Sequence, residues 1–317
     1  MQRSIYLPEG TLIHTERNKC LTSSIDTLFS AMEAGEIVEG IVLLCDTFHN
    51  LIVDIGGFRG IIPHDETALG IENGTTREIA VISRVGKPVS CIITGVNPLS
   101  EDGITLKLSR KKAQDMALSK IMRTASPGDV IRAKVTHLEP FGAFVDIGCG
   151  NISLIGIENI SVSRISHPKN RFKVGQEIFA AILNIDYEQM RLNLTHRELL
   201  GTWLENSAKF EIGQTVRGIV RGVEKYGIFV ELAPNLSGLA EYAENVNVGN
   251  HVSVFIKSIS SEKMKIKLII IDVFDKNSES HIELSDYFIT EGHMTSWQYS
   301  PLDCTRKIVS TEFSQNA

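Results

Sequence analysis

The 317-residue sequence predicts a mainly β protein built from three tandem five-stranded barrels joined by short helices. The first observation behind this prediction is an internal repeat, which outranks other signals in a first reading of a chain. The second is that each repeat holds short alternating apolar and polar runs between glycine-marked turns, as β-strands do. The third is length, because a chain of this size accommodates three barrels of about 75 residues each.

The repeat is clearest in residues 141–148, with the sequence FGAFVDIG. Alternation along a strand directs Val145 and Ile147 to the core and leaves Phe144 beside a carboxylate on the solvent-facing side. Residues 226–232, with the sequence YGIFVEL, repeat the order of aromatic, glycine, aromatic and acid. This repetition favours a binding role for the rings over the alternative that Phe144 merely packs on a neighbouring strand.

Further segments repeat on both sides of this motif. Glycine turns precede it at residues 127–129 and 212–214, and alternating strands close the two copies at 191–194 and 265–268. A weaker N-terminal copy has its matching segments at 34–38, 51–56, 85–89 and 104–108. Each copy thus holds about five short strands, which suits a small Greek-key barrel of the OB type that closes its own edges.

The repeated unit resembles the S-one domain, an RNA-binding OB-fold module named after ribosomal protein S-one. The resemblance rests on the Gly-Asp start, the aromatic-Gly-Ala-aromatic-Val-Asp strand, the Val-Gly turn and the closing leucine-containing strand. The copy at 127–197 matches nearly throughout, the copy at 211–270 is short in its middle loop, and the copy at 35–110 matches only in framework. The connecting residues 199–206 also resemble linkers in the ribosomal S-one-like proteins of Gram-positive bacteria.

The repeats and the resemblance predict five segments. In order they are an N-terminal segment with a short helix (1–34), a divergent barrel with a docking or structural role (35–110), two RNA-binding barrels (127–197 and 211–270) and an acidic C-terminal tail (271–317). Short helical connections favour barrels that are joined semi-rigidly, like beads, with Trp203 as a packing anchor between the last two. The aromatic residues of the tail either fold back onto the third barrel or form a hook for a partner.

Two kinds of residue predict an interface for single-stranded RNA. Flat aromatic rings stack on bases, each stack being worth about 1–3 kcal/mol, and cations on the same face follow the phosphates. The predicted RNA-binding residues are Phe141, Phe144, Arg132, Lys134 and Arg191 in the second barrel, and Tyr226, Phe229, Arg217, Arg221 and Lys265 in the third. A histidine that joins the stacking site in most S-one domains is replaced here by Gly156 and Glu241.

The first barrel departs from this pattern where RNA would bind. Residues 50–52 stand where the second barrel has Gly142, Ala143 and Phe144. Either Phe48 or His49 fills the position of the first ring. Glu39 and Ile41 replace the two cations of the following barrel. A face without the ring pair and with an added carboxylate predicts negligible RNA binding by this barrel.

The net charge of −6 is unevenly distributed along the chain. Residues 1–106 carry 7 Lys and Arg against 14 Asp and Glu, and residues 272–317 carry 3 against 8. The middle of the chain is balanced or basic, and residues 107–123 hold six cations against one acid. A surface for a polyanion is therefore expected between the ends, with the basic helix there either steering RNA or simply being solvated.

Other classes of function find little support. Apolar runs are shorter than a bilayer span, the first residues lack a signal-peptide core, and five scattered cysteines show neither a disulfide framework nor zinc spacing. We expect a cytoplasmic protein that is not an enzyme and has no cofactor, metal, membrane or small-molecule substrate. The expected partners are single-stranded RNA and the small ribosomal subunit, in translation. The alternative is a protein-interaction scaffold or an accessory in RNA turnover or regulation that binds RNA weakly.

Overall fold

The computed structural model describes residues 6–100, 103–274, 282–305 and 307–314, with the backbone alone for 98–100. These residues form three closed five-stranded barrels and a separate two-stranded sheet, which confirms the predicted fold class. Each barrel has the strand order one-two-three-five-four, and its third and fifth strands are parallel. The chain divides into two compact units, Met1–Ala125 with Asp146–Ile152, and Ser126–Val145 with Ser153–Ala317.

The first unit contains barrel 1 and four of the helices. Its strands are β1 (Ile37–Cys45), β2 (Leu51–Ile55), β3 (Phe58–Ile62), β4 (Pro88–Ser100) and β5 (Gly103–Ser109). Its helices are α1 (Glu16–Leu21), α2 (Ile25–Ala34), α3 (Glu78–Ile82) and α4 (Arg110–Thr124). Inward-facing aliphatic residues such as Val42, Val53 and Leu106 form the barrel core, as the alternation predicts.

Residues 10–13 of the N-terminal segment cover part of barrel 1. Glu39, which the sequence places on the open face of barrel 1, is buried and accepts hydrogen bonds from the backbone N–H groups of Gly10, Leu12 and Ile13. Its carboxylate also accepts the hydroxyl of Ser90 at 2.9 Å. Burial raises the pKa of Glu39, and these hydrogen bonds act in the opposite direction. The expectation of a carboxylate exposed on this face was therefore wrong, because residues 10–13 cover it.

The basic helix contributes fewer free cations than its composition predicts. Helix α4 begins at Arg110, so that Lys107 belongs to strand β5 instead. The guanidinium of Arg110 is buried and donates to the Glu9 carboxylate at 2.6 and 3.0 Å. The acid of the 141–148 motif, Asp146, is also buried in this unit, where it accepts the N–H of Glu9 at 2.8 Å. Asp146 thus caps backbone groups and does not lie beside Phe144 in solvent.

The second unit contains barrels 2 and 3. Barrel 2 consists of β6 (Val130–Glu139), β7 (Gly142–Asp146), β8 (Ile152–Gly156), β9 (Glu177–Asp186) and β10 (Arg191–Thr195). Barrel 3 consists of β11 (Thr215–Glu224), β12 (Gly227–Ala233), β13 (Leu236–Ala240), β14 (His251–Ser260) and β15 (Lys265–Phe274). The connection between them holds a 3-10 turn (Arg197–Leu200) and helix α5 (Trp203–Ser207).

Barrels 2 and 3 pack together and are not separate beads. Trp203 is buried, as predicted, in one apolar cluster that includes Leu199 and the core of barrel 3. Arg171 of barrel 2 donates to Glu231 of barrel 3 at 2.6 Å, and both side chains are buried. The expectation of semi-rigid beads is therefore wrong for this pair, because polar and apolar groups of both barrels are buried against each other.

The C-terminal segment folds back onto barrel 3 within the second unit, which is the first of the two alternatives considered for the tail. Its sheet pairs β16 (Ser296–Gln298) with β17 (Ser310–Glu312). Trp297 and Tyr299 are buried in the apolar cluster that contains the barrel 3 core. Tyr287 hydrogen-bonds the imidazole of His196 at 2.9 Å, so the segment contacts the connection between the barrels as well.

No helix in the described part of the chain combines the length and the apolar character needed to cross a bilayer.

Candidate nucleic-acid interface

The first candidate element is a pair of rings on barrel 2. Phe141 lies in the turn between β6 and β7 and is 56% exposed, whereas Phe144 on β7 is half-buried. Their ring centroids lie 5.9 Å apart at an interplanar angle of 90°. This edge-to-face packing is favourable for aromatic rings and holds them in place while leaving the face of one ring open. The exposed His137 adds a third ring, 6.2 Å from Phe144.

Barrel 3 repeats the same arrangement at the same point of its sheet. Tyr226 is 70% exposed and Phe229 is half-buried, and their centroids lie 6.1 Å apart at 87°. Gly222 stands where barrel 2 has His137, and a Cβ there would lie 3.6 Å from the Phe229 ring. Two barrels of different sequence therefore expose one ring and support it with another in the same geometry.

A glycine between the two rings makes each arrangement possible. A Cβ on Gly142 would lie 2.5 Å from the carbonyl oxygen of Ile155, and a Cβ on Gly227 would lie 2.5 Å from that of Ala240. Contacts this short exclude any side chain unless the neighbouring strand moves. The glycine therefore lets the two strands approach closely and fixes the turn from which the exposed ring projects.

The predicted cations of barrel 2 lie on its outer surface but have neighbours there. Arg132 is exposed, and its guanidinium carbon lies 5.9 Å from the ring centroid of Phe179. Lys134 faces Glu177 across the strand pair, so that an opposite charge is close in register. Arg191 is exposed at the start of β10 and donates to the side-chain oxygen of Gln189 at 3.2 Å. Arg132 thus faces an aromatic residue, and not an acid, across the pairing of β6 with β9.

The predicted cations of barrel 3 differ sharply in environment. Arg217 and Lys265 are exposed and face Ser253 and Ser260 across their strand pairs. Arg221 is only 11% exposed, and its Nε donates to Glu231 at 3.0 Å. A phosphate would have to compete with this buried carboxylate for Arg221, whereas Arg217 and Lys265 face no acid in register.

Residues that the sequence analysis did not select share the outer face with the rings. In barrel 3 the cross-strand partners run from Phe229 to Leu239 and on to Lys267, which is exposed. In barrel 2 the corresponding place is Asn193, which is exposed and donates to the Asn184 side-chain oxygen at 2.8 Å. Both positions lie two residues after the selected cation of the closing strand, so alternation alone would have found them.

The equivalent face of barrel 1 has no such ring pair among its described residues. Phe48 is 79% exposed in the turn after β1, but the partner position on β2 is Ile52, which is buried. Leu44, which faces Ile52 in register, is 47% exposed. The rings in contact on barrel 1 are instead those of His49, in the same turn as Phe48, and His64, whose centroids lie 5.8 Å apart. The strand position that holds Phe144 or Phe229 in the other barrels is aliphatic here, as the sequence indicates.

Residues 124–197, which contain barrel 2, match the family model described as S1 RNA binding domain. Over this segment the chain is similar to the S1 RNA-binding domain. Beyond this segment, it is similar to the small ribosomal subunit protein bS1 of Leuconostoc lactis, with 30% identity over 243 residues that cover 74% of this chain and 52% of that protein. It is also 27% identical to bS1 of Staphylococcus aureus (strain N315), over 82% of this chain and 68% of that protein. The chain thus spans about half the length of the Leuconostoc relative.

Among solved structures, the chain is similar to a multidomain protein with nucleic acid binding domains from Streptococcus pneumoniae. The match has 13% identity and a TM-score of 0.25, and it covers 75% of this chain and 74% of that one.

Proposed function

We propose that barrels 2 and 3 bind single-stranded RNA through their exposed ring pairs. The observation that carries this proposal is the repeated geometry, in which Phe141 and Tyr226 each project an open ring face from the same turn of a barrel. An exposed aromatic ring held edge-on by a second ring is suited to stacking on an unpaired base. The match of residues 124–197 to the S1 RNA binding domain model supports the same conclusion for that segment.

The cations would hold the strand without reading its sequence. Arg132 in barrel 2, and Arg217, Lys265 and Lys267 in barrel 3, are exposed on the outer surface of their barrels. Contacts of this kind neutralise phosphates and make binding sensitive to salt. The stacking rings accept any base, because every base has a π face. We therefore propose a binder with little sequence preference, in which Arg221 serves mainly to support Glu231.

Similarity to bS1 extends the proposal from RNA to the ribosome. The relatives are small ribosomal subunit proteins, and most of this chain aligns with them. We accordingly propose that the chain acts in the cytoplasm with the small ribosomal subunit, in translation, as a binding protein and not as an enzyme.

Barrel 1 is proposed to have a docking or structural role instead. Its outward residues Leu43, Leu44 and Phe48 are between 47% and 79% exposed, and they form an apolar strand end and turn without the ring pair. An aliphatic surface offers RNA bases less stacking area than an aromatic one, whereas it suits a protein partner.

Substitution of the exposed rings tests the RNA-binding proposal. Phe141→Ala and Tyr226→Ala each remove one stacking face, so affinity for a labelled single-stranded oligouridylate should fall by about 1–3 kcal/mol per ring, or about 5-fold to 150-fold in Kd. The slope of log affinity against log salt concentration should stay the same, because no phosphate contact is lost. Fluorescence anisotropy over a series of salt concentrations measures both quantities.

Phe48→Ala is the matched control, since it truncates an aromatic ring on barrel 1 that is at least as exposed as those of Phe141 and Tyr226. It should leave affinity unchanged. Thermal melting of every variant establishes that the fold is retained, which is expected because the truncated rings are mostly in solvent. Parent-like affinity in folded Phe141→Ala and Tyr226→Ala proteins would refute the proposal.

A further inference from the structure

Two histidines and a glutamate converge on the surface of barrel 1. His49 follows strand β1, His64 follows strand β3, and Glu78 is the first residue of helix α3. The Nδ1 atom of His49 lies 2.9 Å from Oε2 of Glu78, and the Nε2 atom of His64 lies 2.9 Å from Oε1 of the same carboxylate. One potential ligand atom from each residue lies within 4.8 Å of the other two. The sequence separations of 15 and 14 residues hide this cluster from any search for a short metal-binding motif.

We propose that this cluster, His49, His64 and Glu78, is a binding site for a divalent transition-metal ion of the zinc type. Imidazole nitrogens and one carboxylate are the donors that zinc and its neighbours in the first transition row accept, whereas magnesium and calcium prefer oxygen alone. Zinc bonds of about 2.0–2.1 Å in a tetrahedral arrangement place neighbouring donor atoms about 3.3 Å apart. Oε2 of Glu78 lies 2.9 Å from Nδ1 of His49 and 3.0 Å from Nε2 of His64, so these two distances need to lengthen by only a few tenths of an ångström. The two histidine nitrogens, which lie within 4.8 Å of each other, have to adjust to the same value.

The backbone holds both histidines close to the geometry that a metal requires. Asn50 donates its N–H and its side-chain amide to the carboxylate of Asp46, each at 2.8 Å. The side-chain oxygen of Asn50 accepts the N–H of His64 at 2.9 Å, which ties the two histidine-bearing loops together. A binding site gains affinity when such supporting hydrogen bonds orient its ligands in advance. His49 also has a φ of 61°, a left-handed conformation that residues other than glycine adopt rarely.

The surroundings leave room for entry of the ion and for a further ligand. The three side chains are 41%, 36% and 49% exposed, in the order His49, His64 and Glu78. Three protein ligands leave at least one coordination position for water or another molecule, as in zinc sites with an open position. The inference departs from the sequence expectation of a protein without metal, because only the fold brings the three residues together. It is independent of the proposed RNA interface on barrels 2 and 3.

The test is calorimetric titration of the metal-free full-length protein with zinc chloride, in parallel with titration by cobalt chloride followed by visible absorption. The parent protein should bind one ion at this site, and bound cobalt should give the absorption bands of a low-symmetry nitrogen and oxygen site. His64→Ala and Glu78→Gln should each weaken binding by about tenfold or more, since even the outer partners of metal ligands are worth about 10–100-fold in affinity. His64 and Glu78 are changed in preference to His49, whose unusual backbone conformation could itself alter the fold.

His137→Ala is the matched control. His137 also contacts a carboxylate, that of Glu139 at 2.6 Å, but the pair has only two donors and should not hold the ion. Zinc should also raise the melting temperature of the parent and of His137→Ala but not that of His64→Ala, because an ion that binds only the folded state stabilises it.

Failure of the parent to bind zinc would overturn the proposal and leave the cluster as a hydrogen-bonded clamp. Equal zinc affinity in the parent, His64→Ala and Glu78→Gln would overturn it as well, by placing the bound ion elsewhere. Melting of the metal-free variants at the parental temperature shows that loss of zinc binding is not loss of the fold.

Discussion

The carboxylate of Glu231 contacts both Arg171 and Arg221, and its replacement offers the sharpest test of how barrels 2 and 3 are held together. Its oxygens lie 2.6 Å from Nη2 of Arg171 and 3.0 Å from Nε of Arg221. The side chains of Arg171 and Glu231 are 1% and 6% exposed. Burial lowers the pKa of Arg171, and the charge of Glu231 opposes this shift. Glu231→Gln keeps the shape but removes the negative charge that contacts both guanidinium groups.

Breaking a buried ion pair by removing one partner destabilises a protein by about 3–5 kcal/mol, because the remaining charge is left uncompensated. For a unit of this size, each kcal/mol shifts the melting temperature by about 2–4 °C. We therefore expect Glu231→Gln to lower the melting temperature of the second unit by about 6–20 °C. Differential scanning calorimetry of the full-length protein measures this change.

Glu224→Gln is the appropriate control, because it makes the same chemical change at an exposed acid of the same barrel. Its effect should be within about 0.5 kcal/mol, as for most surface substitutions. The reasoning is refuted if Glu231→Gln melts like Glu224→Gln. The two arginines on the outer face of barrel 3 should also differ from each other. Arg221→Ala should lower stability, whereas Arg217→Ala should leave stability unchanged. Arg217→Ala should instead reduce the slope of log RNA affinity against log salt concentration by about 0.7.

Two further predictions concern the same unit. Burial lowers the pKa of His196 to about 4, below its usual value of 6.5. The unfolded chain therefore takes up a proton below about pH 6.5, whereas the folded protein takes it up only near pH 4. The free energy of unfolding should therefore fall by about 1.4 kcal/mol for each unit by which the pH decreases from about 6.5 to about 4. His196→Gln should flatten this dependence in urea titrations, and an equally steep dependence in the variant would contradict the assignment. A fragment of residues 126–274, which keeps all of β15, should melt at a lower temperature and less cooperatively than one of residues 126–317 in circular dichroism. The reason is that Trp297 and Tyr299 are buried in the same cluster as the barrel 3 core. Equal melting of the two fragments would show that the C-terminal segment contributes nothing to the stability of this unit.

Local periodicity was sufficient to predict the barrels. Inward residues such as Val145 and Val230 alternate with outward ones, and glycines mark the turns where the chain reverses. The ring pairs were also visible in the sequence, because an aromatic residue on each side of a glycine at a strand start has few ways to be buried. In the structure Phe144 and Phe229 lie on β7 and β12, and Phe141 and Tyr226 lie in the turns before these strands, where the rings of each pair come within 5.9 and 6.1 Å of each other.

Interactions between distant parts of the chain account for what the sequence did not show. Arg221 is the extra residue of a bulge, since Val220 faces Val230 while Gly222 faces Phe229, and strict alternation does not apply there. Glu39 is buried by a segment about 27 residues earlier in the chain, so its own neighbours give no sign of it. The burial of Trp297 likewise depends on partners in barrel 3. The contacts of Glu39 and Trp297 leave no trace in a window of ten or fifteen residues, whereas the Arg221 bulge is a local irregularity that simple alternation does not reveal.

The buried contacts between barrels 2 and 3 have a consequence for how an RNA strand would be held. Arg171, Glu231 and Trp203 join the two barrels in one compact unit, so the spacing of the two ring pairs is set by the fold and not by a loose tether. Once one pair holds a strand, the other meets the same strand as an intramolecular event, and such linkage raises overall avidity by about 10²–10⁴ over a single site. The gain exists only for strands long enough to reach both pairs. The fold would thereby select RNA by unpaired length, a property that neither barrel has alone.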